Sequence, residues 1–420
     1  MSTITSDSNE ELVAGGGEEA GLRQAWNDYV ARTRGGELGS LPAVLGLVAL
    51  LIIFTVMKGS TFLSAFNMAN LLSQAAMIIV IAMGLVFVLL LGEIDLSAGY
   101  TAGTCGAILA VGLGVKHQWP LPVAILACLG AGVLIGLFIG ALVARLGIPS
   151  FVVTLAMFLA LQGLMLLIIG EGGTIPVRDE WILALQNKNL PVLWGWVLFL
   201  VVALGYALVT GLRLRRRKAA GLAHEAVSVW LLKVGSIAVL FGLATFFLNQ
   251  ERSRRPEITS IKGVPYIVPL ILILLVALTY LLSRTSFGRH VYAVGGNTEA
   301  ARRAGINVRG VKIACFIFCS TLAAVAGILF ASRDNSISPS TGGSTTLLFA
   351  VAAAVIGGTS LFGGKGKISD AVIGGLVVGV IANGLPLITD QAGIQFIVTG
   401  LVLLVAASVD ALSRRRAVAS

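Results

Sequence analysis

The fold is decided by the stretch LLSQAAMIIVIAMGLVFVLLLGEIDLSAG, residues 71–99, in which a long apolar run ends in a short acidic segment. A run of roughly 20 apolar residues is what a helix needs to cross the hydrocarbon layer of a membrane. The run at 71–91 has that length and carries no charge. This stretch therefore predicts a membrane-spanning helix that ends in a polar turn.

The rest of the chain repeats this pattern. Of its 420 residues, 57% are hydrophobic and 12% are charged, whereas about a quarter are charged in an ordinary soluble domain. The apolar runs are too many and too long to share one soluble core. They lie at 41–57, 71–91, 98–115, 121–144, 151–169, 192–212, 230–248, 264–282, 313–331, 345–356, 369–388 and 394–412. The prediction is an all-α polytopic membrane protein with about 10–12 transmembrane helices and glycine-rich helix packing.

Two of the runs differ from the others. The runs at 98–115 and 345–356 are short or interrupted by glycine. Irregular backbone is tolerated at membrane depth where protein surrounds it, so one or both of these runs are expected to be half-helices inside the bundle.

The basic residues predict the orientation, because Lys and Arg near the ends of spans stay on the cytoplasmic side. A cytoplasmic N-terminus places most of the 30 Lys and Arg inside. Residues 1–40 are then a cytoplasmic tail, 283–312 a cytoplasmic loop, and 413–420 a basic cytoplasmic end within a permease domain that covers 41–412. The predicted orientation of the second half of the chain depends on the run at 230–248. If it does not cross, Arg252, Arg254 and Arg255 lie inside and everything after them flips.

The net charge of +10 is an orientation signal in such a chain, and it also attracts anionic lipid headgroups. No nucleic-acid partner is expected. Acidic residues precede the first apolar run, which is the wrong order for a cleavable signal peptide. The cysteines lie in apolar runs, and Cys315 and Cys319 share a helical face but have no further ligands nearby, so core packing is expected and a metal site is not.

A nucleotide site is not predicted either. The segment GTSLFGGKGK (358–367) is the nearest approach to a phosphate-binding loop, but Thr359 and Gly366 stand where that loop needs glycine and Ser or Thr. The chain is therefore expected to be no enzyme and to hold no cofactor. Any ATP is hydrolysed by another polypeptide.

The polar stretch VYAVGGNTEAARRAGINVRGVKIA (291–314) predicts a short helix from Thr298 to Ala304. Gly295, Gly296 and Asn297 are typical of a turn that ends in an N-cap residue, and Gly305 is placed to end the helix. Its small alanines between charged residues would allow close contact with a partner. The alternative interpretation is that the segment is a solvated linker. The residues expected to contact a partner are Gly295, Gly296, Asn297, Glu299, Ala300, Ala301, Arg302 and Gly305.

Four segments carry a resemblance to a known family. GEIDLSAG (92–99), FGRHVYAVGGNTEAARRAGINV (287–308), VIGGTSLFGGKG (355–366) and NGL (383–385) resemble the permease family of bacterial sugar ABC importers. The match covers most of the chain in the family's order. An additional segment at 192–263 makes the chain similar to the xylose-type permeases.

The resemblance implies a function and an assembly. The chain is expected to be a homodimeric pore in the bacterial plasma membrane, with both termini cytoplasmic, for a monosaccharide such as xylose. An extracellular or periplasmic sugar-binding protein would deliver the sugar, and separate ATPase subunits would drive transport. The loop at 287–308 would hold the coupling helix, which seats in a groove of the ATPase. Where the family commonly has two acids, this chain has Leu347 and Phe349, which puts the exact sugar in doubt.

Candidate pathway and gate residues follow from the motifs. Glu93 and Asp95 either face a cavity, because buried carboxylates in membranes usually do, or mark a cytoplasmic turn in which Ser97 caps the next helix. Asn67, Asn70 and Gln74 could bond sugar hydroxyls, although Asn67 could equally be a helix cap. The expected pathway residues are Glu93, Asp95, Ser97, Asn67, Asn70, Gln74 and Asn383. The expected gate or turn residues are Gly357, Gly358, Thr359, Ser360, Gly363 and Gly364.

Two other function classes remain open at this level. An ion-coupled secondary transporter would need a relay of buried ionisable groups, and the sequence shows none beyond Glu93 and Asp95. A passive channel would have no use for a structured cytoplasmic helix.

Overall fold

The structure, a computed structural model, describes residues 41–170, 172–222, 226–253, 255–258, 260–401 and 404. The predicted tail at 1–40, the basic end at 413–420 and Arg254 lie outside these residues. Within them the chain is a bundle of helices with a single small sheet.

The helices are α1 (Leu41–Phe62), α2 (Ala65–Leu90), α3 (Ala98–Leu113), α4 (Leu121–Leu146), α5 (Ser150–Ile169), α6 (Glu180–Asn187), α7 (Val192–Ala219), α8 (Val227–Leu248), α9 (Ile267–Arg284), α10 (Ser286–Gly296), α11 (Thr298–Arg303), α12 (Val308–Asp334), α13 (Ser344–Gly357), α14 (Ile368–Ile388) and α15 (Ala392–Leu401). Strands β1 (Ile175–Pro176) and β2 (Ser336–Ile337) pair antiparallel. In the described part of the chain, nine helices are long and apolar enough to span a membrane. The predicted all-α polytopic fold is confirmed.

Helices α3 and α13 are the short elements that the sequence predicted. They have 16 and 14 residues, and at 1.5 Å per residue neither covers a hydrocarbon layer of about 30 Å. The segment before α13 lies against the start of α3, because a Cβ added at Gly99 would overlap the Gly342 carbonyl oxygen. The first turn of α13 lies there too, since the same Cβ would be 3.1 Å from the Leu347 Cβ. Helix α13 thus begins inside the bundle, and Leu347 is buried there.

Helix α2 forms the centre of the bundle. Its most apolar segment is 83% buried, and α2 contacts α12, α13 and α14. Lipid tails are as apolar as leucine, so helices associate in a membrane through close packing rather than through a hydrophobic driving force between them.

Glycines make that close packing possible between α4 and α12. Gly132, Gly136 and Gly140 recur every four residues on one face of α4. A Cβ added at Gly132 or Gly136 would lie 2.8 Å or 2.5 Å from carbonyl oxygens of α12. The backbones could not approach so closely with larger residues, which confirms the predicted glycine-rich packing.

The two ends of the bundle are called the α11 face and the α6 face, after the helices that lie there. Helix α12 begins on the α11 face and ends at Asp334 on the α6 face. Arg252 follows α8 and lines the same pocket as Arg333, so α8 runs from the α11 face to the α6 face. Helix α8 covers the predicted run at 230–248 and extends from one end of the bundle to the other, and α7 and α8 form an antiparallel hairpin.

Several boundaries differ from the prediction. Helix α2 begins at Ala65, six residues before the predicted run, and Ser64 is its N-cap because its side chain accepts from the Asn67 N–H. The alternative that Asn67 caps this helix is therefore wrong. Helix α7 continues through the basic cluster to Ala219, because Lys and Arg are good helix formers whose long side chains can reach the membrane surface.

Candidate functional site

Three of the four motif segments meet on the α11 face. The end of α2, the end of α10 and the loop between α13 and α14 come into backbone contact at Leu90, Gly92, Gly295, Gly363 and Gly364, which we call the glycine junction. The Gly364 N–H donates to the Leu90 carbonyl oxygen at 2.8 Å. The three elements are thus joined without any side chain between them.

Glycine is required at this junction for steric reasons. A Cβ added at Gly295 would overlap the Leu90 carbonyl oxygen and lie 2.9 Å from the Gly364 nitrogen. Gly92 and Gly363 have φ angles of 72° and 86°, which side chains other than glycine rarely adopt. The junction therefore depends on several glycines together.

The loop that supplies Gly363 and Gly364 is also fixed at its other end. The Tyr292 hydroxyl, from α10, donates to the Gly366 carbonyl oxygen at 2.7 Å. The Ser360 N–H donates to the Lys365 carbonyl oxygen at 2.8 Å. Helix α10 is therefore bonded directly to this loop.

The start of the same loop packs against α14. The buried Thr359 hydroxyl donates to Asp370 Oδ2 at 3.3 Å, and a Cβ added at Gly357 would overlap the Asp370 carbonyl oxygen. Gly358 has a φ of 121°. The predicted gate or turn residues thus form one tight loop against α14 and the glycine junction.

A half-buried ion pair joins the turn after α2 to α12. The Lys312 ammonium bonds to Glu93 Oε1, and the two side chains are 20% and 15% exposed. Lys312 lies in the first turns of α12, just after α11. Glu93 therefore connects the acidic turn to the helix that follows α11.

Asp95 and Ser97 are structural parts of the turn. Asp95 has no exposed surface, and its Oδ1 accepts from the Ser97 N–H at 2.8 Å and the Ser97 hydroxyl at 2.6 Å. Ser97 occupies the N-cap position of α3 as expected, but its side chain makes no capping bond to that helix. Its hydroxyl is used as a donor to the carboxylate instead.

Helix α11 has the ends that the sequence predicted. The Asn297 side chain accepts from the Ala300 N–H at 2.9 Å. Gly305 has a φ of 81°, and the Ile306 N–H donates back to the Ala301 carbonyl oxygen at 3.1 Å, which is a typical helix ending. The helix stops at Arg303, one residue earlier than expected.

Only part of α11 is available to a partner. Ala300 is exposed, as are Glu299, Arg302 and Arg303. The Glu299 carboxylate pairs with both arginines. Ala301 is 5% exposed and belongs to the core of the bundle. The expectation that Ala301 faces a partner is therefore wrong, because a helix on a surface turns one side inward.

A polar pocket of about 380 Å³ opens on the α6 face. It is lined by the start of α2, the end of α6, the loop after α8 and the end of α12, with Asn70, Gln186, Arg252 and Arg333 among its residues. Arg333 Nη2 donates to Asn70 Oδ1 at 3.3 Å. In the described part of the chain, Nη1 of both arginines and Oε1 of Gln186 have no hydrogen-bond partner.

The loop after α8 is organised around Glu251. Its carboxylate accepts from the Ser260 hydroxyl at 2.6 Å and from the N–H groups of Ser253 and Ile261, each at 2.9 Å. These bonds, that of Ser260 first, lower the pKa of Glu251 to about 2. Arg252 is fixed in turn, since its Nη2 donates to the Gly263 carbonyl oxygen at 2.9 Å.

The other predicted pathway residues are placed differently. The Asn67 amide donates to the Phe62 carbonyl oxygen and to Asn383 Oδ1, both at 2.9 Å. Both asparagines are buried, so they join α2 to α14 and do not line the pocket. Gln74 is half-buried further along α2 and also lies outside the pocket lining.

Sequence reasoning missed Lys312, Tyr292, Arg252, Arg333 and Gln186. Lys312 and Arg333 stand at the two ends of an apolar run, where a charge is ordinarily taken as a span boundary. Gln186 lies in a helix that the apolar runs did not reveal. The only sequence feature that these residues share is a polar side chain close to a predicted span. Many other residues of the chain have this feature, so it could not identify them as site residues.

No metal site is evident from the ionisable side chains of the described residues. Within the described ranges, no cluster of three or more His, Cys, Asp or Glu is suitable. Cys315 and Cys319 are buried and unpaired in α12, and they pack in the main core.

Comparison with known proteins places the chain in a family. The family described as branched-chain amino acid transport system / permease component matches residues 67–407. The chain belongs to this family. The permease is 37% identical to the xylose transport system permease protein XylH of Escherichia coli strain K12 over 376 residues, covering 89% of this chain and 92% of that protein.

More distant relatives show the same range of coverage. The permease is 34% identical to XylH of Haemophilus influenzae over 89% of this chain and 96% of that protein. It is 32% identical to the ribose import permease protein RbsC of Escherichia coli strain K12, over 87% of this chain and 92% of that protein. No solved structure matches the chain. The permease is thus a transport subunit of an ABC importer.

Proposed function

We propose that the permease forms the pathway for a monosaccharide, with xylose as the first candidate. An external binding protein delivers the sugar, and a separate ATPase drives its passage. The two xylose permeases and their near-complete coverage support this choice. A ribose permease is also similar, so a pentose is the substrate class common to these relatives.

The observation that carries the proposal is the position of α11. This short helix exposes Ala300 and three charged side chains at the end of the bundle. On its inner side it continues into α10, which contributes Gly295 to the glycine junction, and into α12, which contributes Lys312. A partner that moves α11 therefore moves the end of α2 and the loop at 358–367 as well.

The polar pocket on the α6 face is the proposed entry for the sugar. Amide and guanidinium groups donate and accept hydrogen bonds of the kind that hydroxyl groups form. Asn70, Gln186, Arg252 and Arg333 offer such groups in one pocket. The partnerless Nη1 atoms of the two arginines support binding of a ligand rich in oxygen.

The proposed assembly follows from this direction of transport. The α11 face is cytoplasmic, the α6 face is external, both termini are cytoplasmic, and two copies form the pore in the plasma membrane. The chain has no catalytic role, since ATP is hydrolysed by the partner. The Gly364 N–H, in the loop that most resembles a phosphate-binding loop, is already bonded to Leu90.

Uptake of labelled xylose tests the function. The permease, its ATPase and its binding protein are reconstituted in liposomes, with the binding protein on the α6 side. We expect accumulation that requires ATP and the binding protein, with stronger competition by unlabelled xylose than by fructose. Uptake that persists without ATP, or that follows an ion gradient, would contradict the proposal.

The orientation gives a labelling prediction. A cysteine introduced at Ser253 is expected to react with a membrane-impermeant thiol reagent added to intact cells, whereas a cysteine at Thr298 is expected to react only after permeabilisation. The four native cysteines are buried, so background labelling is low. The reverse pattern would invert the topology and place α11 outside.

The ion pair between Glu93 and Lys312 gives a second prediction. Glu93→Gln and Lys312→Met should each lower the free energy of unfolding by about 1–2 kcal/mol, because each leaves a half-buried charge unpaired. The double variant should lose less than the sum of the two. Thermal unfolding and sugar uptake of the four proteins form the measurement, and strictly additive effects would show that the two residues are not coupled.

A further inference from the structure

The hairpin of α7 and α8 buries little of its surface against the rest of the chain. The most apolar segment of α7 is 6% buried, and the most apolar segment of α8 is 11% buried. The hairpin meets the bundle near the α6 face, where Leu248, at the end of α8, packs with Ala69 of α2 in one buried cluster. Of the four buried residues in the two helices, Gly195, Thr245 and Leu248 lie towards the α6 face, and Val229 alone lies towards the α11 face.

A basic pocket of about 220 Å³ lies at that other end. Arg213 and Arg217 stand one helical turn apart on α7, and Lys233 reaches the pocket from α8. The lining contains these three basic side chains and no acidic one among the described residues. The Trp230 indole N–H donates to the Thr210 hydroxyl at 2.9 Å and joins the two helices within the pocket.

An apolar groove of about 510 Å³ adjoins the pocket. It follows α7 and is lined mainly by small and aliphatic residues: Leu204, Gly205, Ala207, Leu208, Gly211 and Leu212. Trp230 lines both the pocket and the groove. At Gly205 an added Cβ would meet nothing within 4 Å, so the groove is open to the membrane there.

We propose that the hairpin binds an anionic phospholipid, with the headgroup phosphate on Arg213 and Arg217 and an acyl chain along the groove. Guanidinium groups bind phosphate oxygens through paired hydrogen bonds. A basic pocket between helices at the membrane surface, joined to an apolar groove, matches a lipid in both charge and shape. A free phosphate would use the pocket and leave the groove empty.

This lipid would stabilise two helices that bury little of their surface, since α7 has the smallest buried share of the nine candidate spans among the described residues. By binding Arg213 and Arg217 on α7 beside Trp230 on α8, it would hold the two helices together at the end that is far from Gly195. The proposal is independent of which sugar the permease carries.

The test uses the purified full-length permease in detergent micelles doped with phosphatidylglycerol, with phosphatidylcholine, or with inorganic phosphate alone. Native mass spectrometry and the thermal unfolding midpoint are measured for wild type, Arg217→Gln, Arg213→Gln and Arg216→Gln. Arg216 lines neither the pocket nor the groove, so Arg216→Gln is a control with the same loss of charge on the neighbouring residue.

We expect phosphatidylglycerol to bind and to raise the unfolding midpoint, and the other two additives to have little effect. Arg213→Gln and Arg217→Gln should each weaken binding about fivefold, as expected for one basic residue at an anionic surface, and Arg216→Gln should not. An equal loss in all three variants would overturn the proposal, because a general charge effect would then explain the binding. An equal shift with inorganic phosphate would overturn it in favour of a free anion.

Discussion

Gly295→Ala is expected to abolish ATP-driven uptake, whereas Gly296→Ala is expected to leave uptake near the wild-type level. A Cβ at Gly295 would overlap the Leu90 carbonyl oxygen, so α10 would have to move away from the end of α2. At Gly296, the next residue, an added Cβ meets nothing within 4 Å. The two variants make the same chemical change at adjacent positions of one helix.

The measurement separates folding from coupling. Uptake is compared with the amount of each variant in the membrane and with its thermal unfolding midpoint. If Gly295→Ala also lowers the yield, ATPase binding is measured on the protein that remains folded. Normal ATPase binding would then show that the junction has failed, and lost ATPase binding would show that α11 has failed. Normal uptake by Gly295→Ala would mean that the junction does not transmit motion.

Ala301→Asp is expected to lose stability, whereas Ala300→Asp is expected to lose ATPase binding. Ala301 is 5% exposed, and burying an unpaired carboxylate there should lower the free energy of unfolding by about 3 kcal/mol or more. Ala300 is exposed, so Ala300→Asp should fold normally. Its added charge would lose water on contact with a partner and find no counter-charge, which should weaken ATPase binding about tenfold or more.

These two variants are compared by thermal unfolding and by pull-down of the ATPase. We expect the unfolding midpoint to fall in Ala301→Asp alone and ATPase binding to fall in Ala300→Asp without loss of stability. Normal assembly and uptake in Ala300→Asp would indicate that α11 is a solvated linker.

Much of the fold could be predicted from the sequence because membrane spans are set by length and apolarity. Eleven of the apolar runs correspond to helices, and the two short runs are indeed the short helices α3 and α13. The twelfth run, 394–412, begins in α15 and lies mostly outside the described residues. The start of α2 was misjudged by six residues because Asn67, Asn70 and Gln74 dilute its first turns. Helices α6 and α10 were missed because neither is a long apolar run.

The site was harder to predict, since its contacts join residues far apart in sequence. Glu93 and Lys312 are 219 positions apart, and neither residue alone predicts the other. The glycine motifs at 92–99, 287–308 and 355–366 were recognised separately, but their meeting depends on how α2, α10 and α13 pack. The burial of Ala301 likewise depends on the bundle beneath α11, which the sequence EAARRA does not describe.

Purification of the permease from its native membrane tests the central claim most directly. The tagged chain is isolated in mild detergent, and the proteins that accompany it are identified and quantified by mass spectrometry. The account predicts an ABC ATPase in equal amount with the wild-type permease, and its loss from Ala300→Asp while the permease itself is recovered at the normal yield. An active permease isolated without any ATPase, or an ATPase that remains bound to Ala300→Asp at the wild-type level, would contradict the account.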